Sequence, residues 1–140
     1  MKCERSVLEI LVDTSVWIDF FNGINSPGAG TLHKMIEAED PVCITDVILA
    51  ETLQGFKNNE EFESAKTHLL HFPIYSLQSP EGYVRAAQLY RTCRKGGITI
   101  RRTIDYLIAQ IALDQSLFLL HQDNDFDRIA TVSGLRVYHP

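Results

Sequence analysis

The chain has 140 residues, of which 45% are hydrophobic and 22% are charged, and these values are typical of one globular domain. Its formal net charge of −5 argues against a protein that coats nucleic acid through a basic excess, but not against a nuclease, whose metal-binding carboxylates would add negative charge. Three widely spaced cysteines without a CxxC pair argue against a disulfide framework and against a zinc ribbon.

Apolar runs and helical spacings alternate along the first half of the chain. In chain order they predict a strand over residues 7–12, a helix over 16–21, a loop over 22–30, a helix over 31–39, a strand over 41–45, and helices over 47–56 and 58–72. Asp13, Thr14 and Ser15 can cap the first of these helices, and Asp46 can cap the third. Three glycines and a proline favour the loop over residues 22–30.

The second half continues the alternation. It predicts a strand over residues 73–77, a helix from Ser79 to about Lys95, a helix over 103–112, a strand over 116–121, a short helix that contains Phe126, and a strand over 135–138. Ser79 is a typical cap for the long helix, because a proline follows it, and Gly96 and Gly97 end that helix.

Strands that alternate with helices predict an α/β sandwich, in which a mostly parallel central sheet is flanked by helices on both faces. Neither an internal repeat nor a linker interrupts the pattern, so residues 1–140 are interpreted as one domain. No apolar run approaches the roughly 20 residues of a membrane span, and Glu9 makes the first residues a poor signal peptide. We therefore expect a cytoplasmic protein without a membrane partner.

Four acidic motifs stand at places where such a fold forms binding sites. Asp13 and Asp123 each follow a predicted strand, so both are expected at the edge formed by the carboxyl ends of the strands. Asp105 lies one turn into an apolar helix, and Glu51 lies within another. If these helices pack beside the same edge, four carboxylates converge on one pocket.

Carboxylates that crowd together cannot all stay ionised without a counter-charge. Hard oxygen ligands of this kind suit Mg²⁺ or Mn²⁺, and such ions can activate water and stabilise a leaving oxyanion in phosphodiester cleavage. No Ser/His/Asp triad, Cys/His pair, P-loop or GxGxxG motif offers a competing chemistry.

Each acidic residue also has an ordinary structural interpretation. Asp13 can be only a helix cap, Asp105 can be a first-turn charge that favours the helix dipole, and Glu51 can be a solvated helix residue. The turn that contains Asp123, Asp125 and Asp127 can be a solvent-exposed acidic turn. The order of the four motifs, rather than any one of them, favours a metal site.

Those motifs resemble the PIN-domain proteins of the VapC toxin type, the ribonucleases of bacterial toxin–antitoxin pairs, over about residues 10–138. The matching segments are VDTSVWIDF at 12–20, ILAETLQG at 48–55, ITIRRTIDYLIA at 98–109 and LHQDNDFDRIA at 120–130. Family members usually place the first aspartate within a few residues of the chain start. Residues 1–8 are therefore interpreted as an N-terminal extension or as the product of a mis-assigned start codon.

The resemblance implies a metal-dependent endoribonuclease that uses Mg²⁺ or Mn²⁺. It implies that Asp13, Glu51 and Asp105 hold the metal, together with an acid of the last motif. Asp123 ranks first for that position because it is nearer the strand end, whereas Asp125 can bind through water and Asp127 is interpreted as an exposed charge. The hydroxyls of Thr14 and Ser15 resemble those that orient the first aspartate or a metal-bound water.

Five basic residues cluster between positions 91 and 102 of an otherwise acidic chain. Because Arg101 and Arg102 directly precede the third acidic motif, we expect them to contact RNA phosphates. The resemblance also implies a homodimer and a cognate antitoxin protein whose C-terminal segment covers the face that contains Trp17, Phe20 and Phe21. A fully buried stripe of these aromatic residues would leave that expectation unsupported.

Other functions fit the sequence less well. An aspartyl phosphatase would need a second acid two residues after Asp13, where this chain has Ser15. A phosphoacceptor receiver domain would need an acidic pair before the first helix and a lysine near the last strand. A catalytically silent PIN-like module that binds RNA or protein stays open as the alternative, although all the carboxylates of the four motifs are present.

Overall fold

Five short parallel strands form the centre of the fold in the computed structural model, which describes residues 8–140. The strands are β1 (Ile10–Val12), β2 (Val42–Thr45), β3 (Ile74–Tyr75), β4 (Phe118–Leu120) and β5 (Arg136–Val137). They are arranged in the order β3-β2-β1-β4-β5, and every neighbouring pair is parallel. The predicted α/β class with a parallel central sheet is confirmed.

Seven helices lie within residues 8–140. They are α1 (Thr14–Phe21), α2 (Pro27–Glu37), α3 (Asp46–Leu53), α4 (Asn59–Leu69), α5 (Glu81–Lys95), α6 (Thr103–Gln115) and α7 (Asn124–Val132). The chain moves from β1 through β2 to β3 in one direction and then returns past β1 to β4 and β5. Right-handed crossovers therefore place α1 to α4 on one face of the sheet and α5 to α7 on the other.

The strand order reverses between β1 and β4, and both strands are buried where they end, at Val12 and Leu120. Val12 pairs with Leu120 at the carboxyl end, where the Asp13 amide donates a 2.9 Å hydrogen bond to the Leu120 carbonyl. The chain leaves both strands at the same point, so the residues that follow them lie side by side. In parallel sheets this reversal point is where binding sites form.

The helix beginning at Pro27 corrects one prediction. Residues 27–30 belong to α2 and not to a loop, because Ser26 accepts a 3.2 Å hydrogen bond from the Ala29 amide and Pro27 occupies the first helical position. Gly28 suits this position because it has no β-carbon, and the Gln122 side chain packs where a β-carbon would stand. The turn-forming residues thus begin a helix instead of preceding one.

Two predicted helix caps are also wrong. The Thr45 hydroxyl caps α3 by accepting a 3.0 Å hydrogen bond from the Ile48 amide, so Asp46 is the first helical residue instead of the cap. Helix α5 begins after Pro80 without any side-chain cap, so Ser79 does not cap it. Helix α6 continues to Gln115, three residues beyond its predicted end, where Ser116 adopts a left-handed conformation.

Most of the interpreted N-terminal extension, residues 1–7, lies outside the described residues, as does the first residue of the predicted strand over 7–12. Cys43 and Cys93 are buried free thiols. Within residues 8–140, no helix has the length and apolar character needed to cross a membrane.

Candidate functional site

Asp13 joins the first strand to the first helix. Its carboxylate caps α1 by accepting hydrogen bonds from the Ser15 amide (3.3 Å) and the Ser15 hydroxyl (2.9 Å). Burial raises the pKa of Asp13, and the two bonds from Ser15 oppose that rise. The charge of Glu51 adds to it, so these two acids lie within electrostatic range of each other.

Glu51 lies on α3, and both of its carboxylate oxygens have partners. Oε1 accepts a 2.7 Å hydrogen bond from the Thr14 hydroxyl, and Oε2 accepts one of 2.5 Å from the Arg102 guanidinium. The Glu51 side chain is only 14% exposed, whereas that of Arg102 is 53% exposed. The glutamate therefore connects α1, α3 and the start of α6.

Asp105 is the most buried of the acidic residues, with 2% of its surface exposed. Oδ1 lies 3.7 Å from Arg102, and Oδ2 is buried without a hydrogen-bond partner among the described residues. Burial raises the pKa of Asp105 to about 7, Arg102 opposes the rise, and the charges of Asp13, Asp123 and Asp125 add to it. An unpartnered buried carboxylate oxygen is costly unless a cation or a proton satisfies it.

Asp123 and Asp125 complete a triplet with Asp105. One carboxylate oxygen from each of the three residues lies within 4.8 Å of the others. Asp123 caps α7 by accepting a 2.9 Å hydrogen bond from the Asp125 amide, while Asp125 is the more buried of the two. Three converging carboxylates of this kind are a donor set that can hold a hard divalent cation.

The structure therefore brings the predicted acids together in two linked groups. Asp105, Asp123 and Asp125 form the triplet, whereas Asp13 and Glu51 stand beside it and are coupled to it through charge and through Arg102. The two expected hydroxyls both contact acids, since Ser15 bonds to Asp13 and Thr14 bonds to Glu51.

His121 supports the last motif in a way that the sequence did not indicate. Its Nδ1 accepts a 3.0 Å hydrogen bond from the Asp123 amide, and its Nε2 lies 3.1 Å from Oδ1 of Asp127. Because Nδ1 is an acceptor, the ring proton belongs on Nε2, which donates to Asp127. Asp127 is exposed, as predicted, and it holds this ring in place.

Gln122 and Arg128 also form contacts beside the site, and the sequence patterns did not predict these contacts. The Gln122 amide donates to Asp19 at 2.9 Å and accepts from the Gly28 amide at 3.0 Å, which ties the last motif to α1 and α2. Arg128 donates to Asp125 and to the Thr99 carbonyl, both at 3.1 Å. The i, i+3 spacing of Asp125 and Arg128 on one helix was the only sequence signal for this pair.

The aromatic residues of α1 divide between the core and the surface. Trp17 is 1% exposed and its indole donates a 3.0 Å hydrogen bond to the Val12 carbonyl. Phe20 and Phe21 are half-buried and line an open groove of about 280 Å³ between α1 and α4. The other residues of this aromatic groove are Phe56, Glu61, Ser64, Ala65 and His68.

Comparison with known proteins places these features in a family. The family model of the PIN domain matches residues 10–132. The chain is 28% identical to ribonuclease VapC11 of Mycobacterium tuberculosis over 128 residues, which cover 91% of this chain and 96% of that protein.

Solved structures with the same fold include VapBC2 of Rickettsia felis bound to a DNA fragment from its promoter. That match has a TM-score of 0.73 and 16% identity, and it covers 94% of this chain and 98% of the other. VapC20 of M. tuberculosis, a toxin that cleaves the sarcin-ricin loop, matches with a TM-score of 0.68 and 17% identity over 91% of this chain and 98% of that one. These likenesses establish the fold.

Proposed function

The chain belongs to the PIN-domain family, and from this premise we propose that it is a metal-dependent endoribonuclease that acts as the toxin of a toxin–antitoxin pair. The observation that carries the proposal is the buried, unpartnered Oδ2 of Asp105 beside the carboxylates of Asp123 and Asp125. The similarity to a VapC ribonuclease along nearly the whole chain supports the substrate class.

The five acids Asp13, Glu51, Asp105, Asp123 and Asp125 are proposed to hold Mg²⁺ or Mn²⁺. Their oxygen donors suit these hard ions. Burial first, and neighbouring negative charge second, raises the pKa values of Asp13 and Asp105, and a bound cation would favour the ionised carboxylates against both effects. When bound, such an ion activates water and stabilises charge on the phosphodiester oxygens. Ser15 would orient Asp13, and Thr14 would orient Glu51.

Arg101 and Arg102 are proposed to contact RNA phosphates. Both are exposed and lie just before α6, the helix that contains Asp105, and Arg102 approaches Oδ1 of Asp105 to 3.7 Å. Arg102 is also bonded to Glu51, so its contact with RNA requires that bond to open. Neutralising both residues should weaken RNA binding and lower its salt dependence, and an unchanged salt slope would contradict this role.

The aromatic groove between α1 and α4 is proposed as the binding site of an antitoxin segment. Phe20, Phe21 and Phe56 present partly exposed rings there, and an apolar peptide face could bury them. Only Trp17 of the stripe is fully buried, so the surface on which this expectation depends is present.

A homodimer is also proposed. Helix α5 exposes Tyr83, Val84 and Tyr90 beside a cavity of about 540 Å³ that is shared with α6. A second copy of the chain would cover this surface. Light scattering should then give twice the mass of one chain, and Val84→Asp should give the monomer; a wild-type monomer would contradict the proposal.

Sequencing of RNA ends after induced expression tests the enzymatic proposal. The wild type should generate new RNA ends at defined positions, and Asp105→Asn should generate none. Asp46→Asn is the matched control, because Asp46 follows β2 at the same edge of the sheet but is exposed. New ends that persist in Asp105→Asn would refute the assigned site. A wild type that produces no new ends would favour the catalytically silent binding module.

A further inference from the structure

Arg102 bridges two of the acids that come from different helices. Its Nη2 lies 2.5 Å from Oε2 of Glu51 on α3 and 3.7 Å from Oδ1 of Asp105 on α6. Asp105 lies three positions after Arg102, at local helix spacing, whereas Glu51 lies 51 positions before Arg102 and is brought to it by the fold. One exposed cation therefore neutralises part of the buried negative charge of the site.

The bridge to Glu51 uses a carboxylate oxygen that a metal ion held by this glutamate would need. Oε1 of Glu51 already accepts from Thr14, so Oε2 is the remaining oxygen, and Arg102 occupies it. A guanidinium and a divalent cation at the same carboxylate repel each other, because like charges a few ångströms apart are destabilising in a partly buried site. The two cations are consequently alternative partners for Glu51.

We propose that Arg102 exchanges with the metal ion, so that it satisfies Glu51 and Asp105 before the ion binds and is released toward the RNA when the ion arrives. This inference rests on the proposed function, since it takes the acids to be metal ligands. It assigns to Arg102 two successive partners, first the carboxylates and then a substrate phosphate. Metal binding and RNA binding are thereby coupled.

Two neighbouring arginines show what distinguishes Arg102. Arg101 carries the same charge one position earlier, and it takes part in none of the ion pairs formed among residues 8–140. Arg128 also contacts a carboxylate of the triplet, but the Thr99 carbonyl anchors its guanidinium as well. Arg101→Gln thus removes equal charge without removing the bridge, which makes it the matched control.

Calorimetric titration with Mn²⁺ tests the exchange without any measurement of activity. Arg102→Gln should bind Mn²⁺ about three- to tenfold more tightly than the wild type, because the ion no longer displaces an ion pair. Arg101→Gln should stay within a factor of about two, since only a screened surface charge is lost. Arg102→Lys keeps the charge but loses the planar guanidinium, so its Mn²⁺ affinity should lie between those of Arg102→Gln and Arg101→Gln.

The outcomes separate the inference from the function on which it rests. Equal or weaker Mn²⁺ binding in Arg102→Gln, with normal binding by the wild type, would overturn the exchange and leave the metal site intact. Equal tightening in Arg101→Gln would also overturn it, because charge alone would then explain the effect. An absence of Mn²⁺ binding in the wild type and in all the variants would overturn the metal site itself. If Arg102→Gln does not fold, Arg102→Lys decides the question by the same comparison.

Discussion

The Thr14 hydroxyl donates a 2.7 Å hydrogen bond to Oε1 of Glu51, across 37 positions of the chain. This bond joins the start of α1 to the middle of α3 beside Asp13, the residue that caps α1. A short polar side chain next to the first aspartate thus positions the second acidic motif. The acids of this site are held by partners from other elements as much as by their own helices.

The Thr14–Glu51 bond can be tested by removing the hydroxyl and keeping the shape. Thr14→Val should lower the free energy of unfolding by about 1–2 kcal/mol, because a buried carboxylate oxygen loses its donor. RNA cleavage should fall by roughly tenfold or more, since Glu51 is no longer oriented. Urea denaturation and a cleavage assay measure the two effects.

Thr52 on the same helix as Glu51 provides the control. Its hydroxyl is buried and has no hydrogen-bond partner within residues 8–140, so Thr52→Val should leave stability unchanged or raise it by up to about 1 kcal/mol. Equal losses of stability in the two valine variants would show that the Thr14–Glu51 bond has no special importance.

The stability of the metal-free protein should depend on pH through Asp105. Its pKa is raised from 3.8 to about 7, chiefly by burial, so between these values the folded chain binds a proton that the unfolded chain has lost. The free energy of unfolding should therefore decrease as the pH rises from about 4 to about 7 and then level off. The raised pKa of Asp13 acts in the same direction.

Asp105→Asn removes the part of this pH dependence that comes from Asp105 and leaves the part that comes from Asp13. At pH 8 the variant should be more stable than the wild type by about 1–3 kcal/mol, and the difference should vanish near pH 4. Mn²⁺ affinity of the wild type should rise with pH up to about 7, because the ion needs the ionised carboxylate. Stability curves of wild type and variant that stay parallel from pH 4 to pH 8 would contradict the argument.

Gly28 and Gly30 lie in the same helix but should respond oppositely to alanine. A β-carbon at Gly28 would lie 2.5 Å from Oε1 of Gln122, so Gln122 would have to give up its contacts with α1 and α2. Gly30 has open space at that position. Gly30→Ala should raise the free energy of unfolding by about 0.5–1 kcal/mol through helix propensity, and Gly28→Ala should lower it by a similar amount. Thermal melts of the two alanine variants measure these changes. Stabilisation of both variants would contradict the close approach of Gln122 to Gly28.

His121 should affect metal binding although it is not a proposed ligand. His121→Leu removes the acceptor of the Asp123 amide, so Mn²⁺ should bind roughly tenfold more weakly. Asp127→Asn should have little effect, because an amide oxygen can still accept the ring proton. His33→Leu, at an exposed histidine that also pairs with an acid, is the control. A normal Mn²⁺ affinity in His121→Leu would exclude the positioning role.

Sequence patterns predicted the parts of the fold that depend on burial. The strands that end at Val12 and Leu120 are short apolar runs, and they are buried as such runs should be. Asp13 and Asp123 could be located at the sheet edge for the same reason. Pro27 and Gly28 are common turn residues and so predict a loop. In the structure they begin α2, because Ser26 caps the helix and because Gln122, 94 positions away from Gly28, bonds to the Gly28 amide.

The hydrogen-bond partners of the site acids that come from distant parts of the chain could not be predicted from the sequence either. That Arg102 would contact Glu51 could not be predicted, because the two residues meet only when α3 packs against the start of α6. The ordering of Asp123 above Asp125 rested on distance from the strand end alone. Burial and the Arg128 contact give Asp125 an equal place in the triplet.

Cleavage of a structured RNA by the purified chain, measured against Mn²⁺ concentration in wild type and Asp105→Asn, tests the central claim most directly. The wild type should cut the RNA with a saturable dependence on Mn²⁺ and should lose activity in EDTA. Asp105→Asn should be slower by roughly 100-fold or more at every concentration, because it lacks a charged ligand of the site. Cleavage that persists in EDTA, or a variant as active as the wild type, would contradict the account.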